Sequence, residues 1–258
     1  MKLHMEPKKL KFLILGAGVS GLVLRILLYA VGMDGRGLLI PNHPASIALW
    51  CLTAVAAAVL LVFSRKITGP EEYADAHPVS FGAAMGCFAL TVGLALTTVR
   101  EFSEFSSRLH LIIWILGLIC TVAMGITGVC RLLGKKPYFL MHTALCIYFA
   151  LRMVSRYRVW SSDPCLQDYC FYLTSYVALM LAAYHQAAFD AGMGKHRALW
   201  FFSLAGGYLC CLSLKGTQDT LLLLGCAIWC FTNLTCLTAH QRRTRPALKL
   251  DESSTPEE

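Results

Sequence analysis

Eight apolar stretches, most of them about twenty residues long, alternate with short polar segments from Phe12 to Ala239. A hydrocarbon core of about 30 Å requires about 20 helical residues to cross it. Backbone groups in lipid must be hydrogen-bonded internally, which favours helices as the spanning elements. The pattern therefore predicts an all-α, polytopic transmembrane helical bundle with eight spans. The predicted spans are 12–32, 44–64, 79–99, 109–130, 137–151 (extended towards Arg156), 169–189, 198–214 and 220–239.

The segments between the spans are short, and this sets the domain organisation. None of them is long enough for an independent soluble domain. We expect one transmembrane helical domain over residues 1–240. Residues 241–258 are polar and charged, which predicts a disordered cytoplasmic tail. Pro44, Pro78 and Pro137 each stand at or beside the start of a span, where proline is favoured as the first helical residue.

The distribution of basic residues predicts the orientation. Cytoplasmic loops carry an excess of lysine and arginine. With the N-terminus inside, 15 of the 23 lysines and arginines lie in inner segments and 7 in outer ones, while Arg25 lies within the first span. Both termini are therefore predicted to be cytoplasmic. Arg152, Arg156 and Arg158 lie on the outer side, against this rule, and require a separate explanation.

Composition and charge argue against a soluble protein and against a nucleic-acid-binding protein. Hydrophobic residues make up 57% of the chain. Charged residues make up 15%, whereas the charged fraction of soluble domains is about 25%. The net charge of +8 does not indicate nucleic-acid binding, because the basic residues are scattered between spans and form no single basic face. The expected partner is the lipid bilayer of a cell (plasma) membrane, and nucleic acid is not expected.

The first span contains a glycine pattern that resembles a nucleotide-binding motif. Gly16, Gly18 and Gly21 form G-x-G-x-x-G after an apolar run, and Asp34 follows at nearly the spacing of a ribose-binding acidic residue. The motif needs a strand–helix–strand unit, whereas another apolar span follows here. Small residues that let helices approach closely explain the glycines better. No cofactor is expected.

Cysteine and histidine offer two weaker candidates. Most of the 12 cysteines lie within spans and none forms C-x-x-C, so packing explains them. Cys165 and Cys170, near the outer end of the sixth span, are a possible disulfide in an oxidising exterior. His142 and His185 have similar depths in spans five and six, which would suit a metal or haem. Two histidines at an interface, hydrogen-bonded to backbone, are the alternative, and no metal site is predicted.

Ionisable residues near the outer ends of the spans give the best functional signal. Arg25 lies about 20 Å along its helix from Phe12. Arg152 has nearly the same height, and Arg156 follows it on the same helix face. An arginine within a span normally faces the bundle interior or water and has a partner.

Carboxylates and tyrosines accompany these arginines on the outer side. The carboxylates are Asp34, Glu101, Glu104 and Asp168, and the tyrosines are Tyr29, Tyr157, Tyr169 and Tyr172. One interpretation is structural, with the arginines paired to carboxylates or extended to headgroups. In the other, Arg25, Tyr29, Arg152, Arg156 and Asp168 form an outward-facing site for a small anionic ligand, because guanidinium matches carboxylate and phosphate.

One segment carries a resemblance to other proteins. The run from Leu24 to Leu39, LRILLYAVGMDGRGLL, continuing to His43-Pro44, resembles uncharacterised integral membrane proteins of anaerobic Gram-positive, Clostridia-like bacteria. It covers about a tenth of the chain. The resemblance implies a bacterial inner-membrane location and carries no activity or functional residue with it.

Three classes of function fit the sequence to different degrees. Solute binding or transport fits eight spans, glycine-containing helices and outer arginines, and it is the function expected. A membrane-embedded sensor or accessory subunit, bound to other membrane subunits, is the alternative. An enzyme is not expected, because the chain has no H-E-x-x-H motif and no paired-glutamate signature.

Overall fold

The computed structural model describes residues 7–34, 39–40, 43–65, 67, 73–102, 108–161, 169–215 and 219–243. The regular elements of these residues are all α-helices, which confirms the predicted all-helical fold. Eight helices have 17 to 26 residues, and α3 is a single turn. The helices are α1 (Pro7–Val31), α2 (Pro44–Ser64), α3 (Tyr73–Ala76), α4 (Phe81–Glu101), α5 (Arg108–Leu133), α6 (Phe139–Trp160), α7 (Cys170–Asp190), α8 (His196–Leu212) and α9 (Thr220–Arg243).

The helix starts correct one sequence prediction. Pro44 is the first residue of α2, as predicted. Pro78 and Pro137 instead precede the first residues of α4 and α6 by three and two positions. In α4 the start is set by Ser80, whose hydroxyl accepts a hydrogen bond from the backbone N–H of Ala83 at 3.4 Å. This side-chain cap satisfies a backbone N–H group in the first turn of the helix, whereas a proline in the first turn would lack that N–H group.

Four of the helices are long and apolar enough to cross a membrane, namely Lys8–Val31 of α1, α2, α4 and α5. Their outward faces carry large apolar side chains that are more than half exposed. Val23 is 51% exposed, Val55 61% and Val122 62%. A surface of this kind suits contact with lipid and not with water.

Helices α7 and α8 are packed more deeply, and more than half of the residues of each are buried. Helix α7 packs between α6 and α8, while α9 packs most extensively against α4 and also against α8. Gly86, Gly93 and Gly225 allow the close approach of α4 and α9. A Cβ atom at Gly93 would lie 2.8 Å from the carbonyl oxygen of Leu221, and one at Gly225 would lie 2.8 Å from that of Ala89. Small residues thus join two helices that are distant in sequence.

The side chains that meet at each end of the bundle show that α4 to α9 alternate in direction. At one end, Arg152 in the second half of α6 contacts both Glu101 at the end of α4 and Asp219, which precedes α9. We call this the Asp219 end. At the other, His142 near the start of α6 meets Asp190 at the end of α7. We call this the Asp190 end.

The glycine pattern of the first span lies inside a continuous helix. Residues 16–21 belong to α1, where the nucleotide-binding motif would require a strand and a turn. A Cβ atom at Gly18 would lie 3.3 Å from Cβ of Cys211 on α8, and one at Gly21 would lie 2.6 Å from Leu212. Two of the three glycines therefore serve helix packing, whereas a Cβ atom at Gly16 would contact nothing within 4 Å.

The predicted tail begins within the last helix. Helix α9 continues to Arg243, so that the first residues of the predicted tail are helical. Residues 244–258 lie outside the described part of the chain, and the disordered tail stays a prediction there.

Candidate functional site

Two arginines and two carboxylates form a buried cluster at the Asp219 end. Arg152, which is 2% exposed, binds Asp219 through Nη2 at 2.5 Å and through Nε at 3.3 Å. Its Nη1 lies 2.6 Å from Oε1 of Glu101. Arg156 reaches Asp219 at 3.1 Å and Glu101 at 3.9 Å. We call these four residues the Asp219 cluster. It joins α4, α6 and the start of α9, and its formal charges are balanced.

Tyrosine hydroxyls complete the surroundings of Asp219. Tyr176 donates to Oδ2 of Asp219 at 2.9 Å, and Tyr172 donates to the same oxygen. The two hydroxyls also lie 3.2 Å apart. Both tyrosines are on α7, so the carboxylate of Asp219 links α6 and α7 to the start of α9, and Glu101 adds α4 through the arginines. The ring of Tyr148 adds a cation–π contact, with its centroid 5.7 Å from Cζ of Arg152.

The electrostatics of Asp219 follow from these contacts. Burial alone would raise the pKa of Asp219, but Arg152 and Arg156 outweigh it and hold that pKa below its usual range. Asp219 is therefore ionised at neutral pH and matches the arginine charges. Such mutual neutralisation is what a stable buried ion pair requires, and it leaves the cluster little free positive charge for an added anion.

Arg25 has a different setting at the same end of the bundle. Its guanidinium is 3% exposed and lies against two aromatic rings, 5.6 Å from the Tyr29 centroid and 5.5 Å from that of Phe171. Nη2 of Arg25 also donates to the hydroxyl of Tyr29 at 3.5 Å. A cavity of ≈ 430 Å³ opens beside these groups. It is lined by Arg25, Leu28, Tyr29, Leu39, Ser46, Leu49, Trp50, Cys170 and Phe171. We call it the Arg25 cavity.

The predicted ligand site is thus divided between two places. Arg25 and Tyr29 line the Arg25 cavity, whereas Arg152 and Arg156 bind Asp219 and Glu101. Asp168, the fifth predicted residue, lies outside the described residues. The principal partner, Asp219, was missed by the sequence prediction, although its position beside the last span was a signal that it belongs to the outer side.

The possible disulfide stays a prediction. Cys165 lies outside the described residues. Cys170 is exposed at the start of α7 and lines the Arg25 cavity. Most of the described cysteines are instead buried in the helix core, as packing predicts: Cys87, Cys120, Cys210, Cys211, Cys226 and Cys230.

At the Asp190 end, His142 pairs with a carboxylate. Nδ1 of His142 lies 2.5 Å from Oδ2 of Asp190, with both side chains fully buried. Gln186 donates to Asp190 at 3.3 Å and accepts from Asn233 on α9 at 2.7 Å. His185 lies elsewhere, stacked on Phe202 of α8 with ring centroids 5.2 Å apart. The two weak metal candidates therefore have different partners.

Metal binding has no further support in the part of the chain that the structure describes. No group of three or more histidine, cysteine, aspartate or glutamate side chains there is arranged to hold a metal ion. A buried network of paired polar groups stabilises the junction of α6, α7 and α9 instead.

His77, which lies just before α4 and outside the spans, predicts a pH dependence. Burial first, and then Arg131, His142 and His196, lower the pKa of His77 well below 6.5. Below pH 6.5 the unfolded chain therefore binds a proton that the folded one does not. The contribution of His77 to the free energy of unfolding is therefore fully present above about pH 6.5. Below that pH the free energy of unfolding falls by about 1.4 kcal/mol per pH unit, until the pH reaches the lowered pKa of His77.

Melting temperatures of the detergent-purified protein between about pH 7.5 and about pH 5 test this expectation. The wild-type protein should lose stability across that range, and His77→Gln, which can keep the contact to Gln186, should show a flatter profile. Asp219 does not interfere, because its lowered pKa moves its titration below its ordinary value of 3.8. Identical profiles for the two proteins would show that His77 is not the titrating group.

Comparison with known proteins identifies no family for this chain. No protein-family model, curated protein or solved structure matches the chain.

Proposed function

We propose that the protein is a multi-pass protein of the bacterial plasma membrane, with eight spans and both termini in the cytoplasm. Four helices of sufficient length and apolarity support this proposal. The alternating direction of α4 to α9 supports it as well, because each of these helices begins at the end of the bundle where the preceding one finishes. Under this topology the Asp219 end faces the exterior and the Asp190 end faces the cytoplasm, in agreement with the distribution of basic residues.

Within this topology, the proposed activity is binding or transport of a small anionic solute at the Arg25 cavity. The single observation that carries this proposal is the buried guanidinium of Arg25 beside a cavity of ≈ 430 Å³. Small-molecule sites commonly have volumes of about 300–1,000 Å³, apolar walls and few polar groups. A guanidinium in such surroundings recognises a carboxylate or phosphate through its paired N–H groups.

The lining of the cavity narrows the class of solute. Most of the wall is apolar, and Trp50 and Phe171 stand together there with ring centroids 4.8 Å apart. Ser46 and Tyr29 add hydroxyls beside Arg25. The chemistry favours an anion with an apolar body, such as a small aromatic or branched-chain carboxylate, over a strongly hydrated inorganic ion.

The Asp219 cluster has a structural role in this proposal. Arg152 and Arg156 already have Asp219 and Glu101 as counter-ions, whose carboxylates occupy the positions that an anionic ligand would need. Their location on the outer side, against the charge rule, is then explained by these partners. Paired in this way, the arginines are held inside the bundle.

A sensor or accessory subunit is the second candidate. The observation that favours it is the largely exposed surface of α2, where Ile47, Val55 and Val62 are each more than half exposed. A partner helix could cover this surface as readily as lipid. Vesicle uptake separates the candidates: a transporter accumulates a labelled anion, whereas a sensor or accessory subunit binds it or not without moving it.

The proposed function is tested with a matched pair of ligands and three variants. We expect benzoate to bind the wild-type protein in nonionic detergent and neutral benzamide to bind much more weakly, because only the former pairs with Arg25. Arg25→Met should weaken benzoate binding about tenfold or more, since a charge-assisted hydrogen bond is worth about 1.5–3 kcal/mol. Arg25→Lys should retain part of it, and Arg158→Met, at an exposed position of α6, should retain all of it.

Equal affinity of the wild-type protein for benzoate and benzamide would overturn the electrostatic part of the proposal. Failure of a wider series of carboxylates to bind would overturn the proposed site itself. Uptake of the bound carboxylate into proteoliposomes, absent with Arg25→Met, would then select transport over the second candidate.

A further inference from the structure

A second cavity opens at the Asp190 end, away from the Arg25 cavity. It has a volume of ≈ 530 Å³ and lies among the segments that precede α4 and α6 and follow α7. Its lining includes Tyr73, His77, Pro78, Gly134, Lys136 and Gly192. We call it the Tyr73 cavity. Neither the proposed solute site nor the Asp219 cluster uses any of these residues.

Positive charge gathers around the aromatic ring that lines this cavity. Cζ of Arg131, at the end of α5, lies 5.4 Å from the Tyr73 centroid, and Nζ of Lys136 lies 5.9 Å from it. The ring of His77 is stacked on Tyr73, with centroids 4.9 Å apart. Cation–π contacts hold two cations beside one ring without neutralising either of them.

Arg131 has buried donors that no described residue satisfies. Its side chain is 3% exposed, and its Nε and Nη1 atoms have no hydrogen-bond acceptor within the described part of the chain. Buried polar groups normally have partners, and a guanidinium most of all. This contrasts with Arg152, where every guanidinium nitrogen contacts a carboxylate.

His77 supplies a further donor of the same kind. Its Nε2 lies 3.4 Å from the amide nitrogen of Gln186, which donates to it. The proton of a neutral His77 must then be on Nδ1, because Nε2 is the acceptor. Nδ1 is also buried without an acceptor among the described residues. Burial lowers the pKa of His77, as does Arg131, which keeps this neutral form at physiological pH.

We propose that a phosphate group binds in the Tyr73 cavity to Lys136 and His77, which line it, and to Arg131, which lies outside the lining against the Tyr73 ring. A phosphate presents several strong acceptor oxygens in different directions, which suits donors from three separate segments. The planar fork of arginine matches phosphate, and the lysine supplies a second charge. Helices α4 and α6 begin a few residues beyond Pro78 and Lys136, so that their positive ends lie on the same side of the bundle.

The cavity volume indicates that the phosphate is part of a larger molecule. A space of ≈ 530 Å³ is within the range of small-molecule sites, and an inorganic phosphate ion would fill only a part of it. The phosphate therefore belongs either to a soluble organic phosphate or to the headgroup of an anionic lipid in the adjacent leaflet. The two sources share the same recognition chemistry, and experiment can separate them.

The test uses three variants of the full chain in nonionic detergent. Arg131→Met removes a buried charge that has no described counter-ion, so it should not lower the melting temperature in the absence of ligand. Lys136→Gln removes the second cation near the surface. Lys135→Gln is the matched control, because Lys135 is an exposed neighbour of Lys136 that does not line the cavity. The soluble probes are inorganic phosphate and glycerol phosphate, compared with potassium chloride at equal ionic strength.

For a soluble ligand, glycerol phosphate should raise the melting temperature of the wild-type protein and of Lys135→Gln saturably. Its affinity should fall about tenfold or more in Arg131→Met and by a smaller factor in Lys136→Gln. For a lipid ligand, the soluble probes should have no effect. Phosphatidic acid from nanodiscs should then stay bound during native mass spectrometry of the wild-type protein and be lost from Arg131→Met.

Two results would overturn the proposal. One is the absence of binding by both the soluble phosphates and phosphatidic acid. The other is equal binding by the wild-type protein, Arg131→Met and Lys136→Gln. Arg25→Met should bind both probes normally, so failure at the Tyr73 cavity can be told apart from failure at the Arg25 cavity.

Discussion

Replacement of Arg152 by methionine should lower the free energy of unfolding by about 3–5 kcal/mol, the usual cost of removing one partner of a buried ion pair. Asp219 is 2% exposed, and among the described residues the substitution leaves its carboxylate with Arg156 and two tyrosine hydroxyls. Replacement of Asp219 by asparagine should have an effect of similar size, because Glu101 is then the one carboxylate partner of Arg152 among the described residues. Unfolding in mixed micelles with increasing dodecyl sulfate measures the change.

A double substitution and a surface control complete this prediction. Arg152→Met with Asp219→Leu removes both charges and should be more stable than either single variant, since a buried pair can often be exchanged for apolar residues at little cost. Arg158→Met makes the same chemical change at an exposed position of the same helix and should leave stability unchanged. Stability losses in the single variants no larger than that of Arg158→Met would contradict the structural role of the cluster.

Replacement of Gly93 by alanine should destabilise the protein by about 1–3 kcal/mol or more, because the added methyl group meets backbone. Its Cβ would lie 2.8 Å from the carbonyl oxygen of Leu221 and 3.2 Å from Cα of Leu222. Backbone atoms cannot move aside as a flexible side chain does, so α4 and α9 would have to separate. The loss should appear as a lower melting temperature.

Gly125 provides the matched control for this substitution. A Cβ atom there would meet only Cγ2 of Thr91, at an ordinary contact distance of 3.8 Å. Gly125→Ala should therefore leave stability unchanged or raise it slightly, because alanine favours the helix over glycine by about 1 kcal/mol. Equal losses for Gly93→Ala and Gly125→Ala would show that the α4–α9 contact is not the cause.

The positions of the helices could be predicted because each apolar run is bounded by polar or turn-forming residues. Helix α2 has the predicted bounds. Other ends were shifted by local contacts that hydropathy does not record, such as the side-chain cap of Ser80. Helix α6 shows a different difficulty, because Arg152 and Arg156 make its sequence less apolar although both side chains bind Asp219 inside the bundle.

The partners of the buried groups could not be predicted, because they depend on which helices pack together. Sequence placed Arg152 on the outer side and offered Asp34, Glu101, Glu104 and Asp168 as counter-ions. Glu101 and Asp219 are the partners found, since α4 and α9 pack together although they are far apart in sequence. His142 likewise meets Asp190, and not His185.

Helix packing also explains why Arg25 lies at the Arg25 cavity while Arg152 and Arg156 lie in the Asp219 cluster. Arg25 and Arg152 have similar heights along their helices, which is all that a count of residues can establish. Helix α7 lies between the two arginines and determines which partners each of them has. Phe171 of this helix contacts Arg25, while its neighbour Tyr172 donates to Asp219. We therefore propose ligand binding at Arg25 and a stabilising role for Arg152.

The most direct test of this division compares benzoate binding with thermal stability in Arg25→Met and in Arg152→Met with Asp219→Leu. We predict that Arg25→Met loses most of its affinity for benzoate while its melting temperature changes little. The double variant should bind benzoate as the wild-type protein does, at a temperature where it is folded. Normal binding by Arg25→Met, together with lost binding by the folded double variant, would contradict the account.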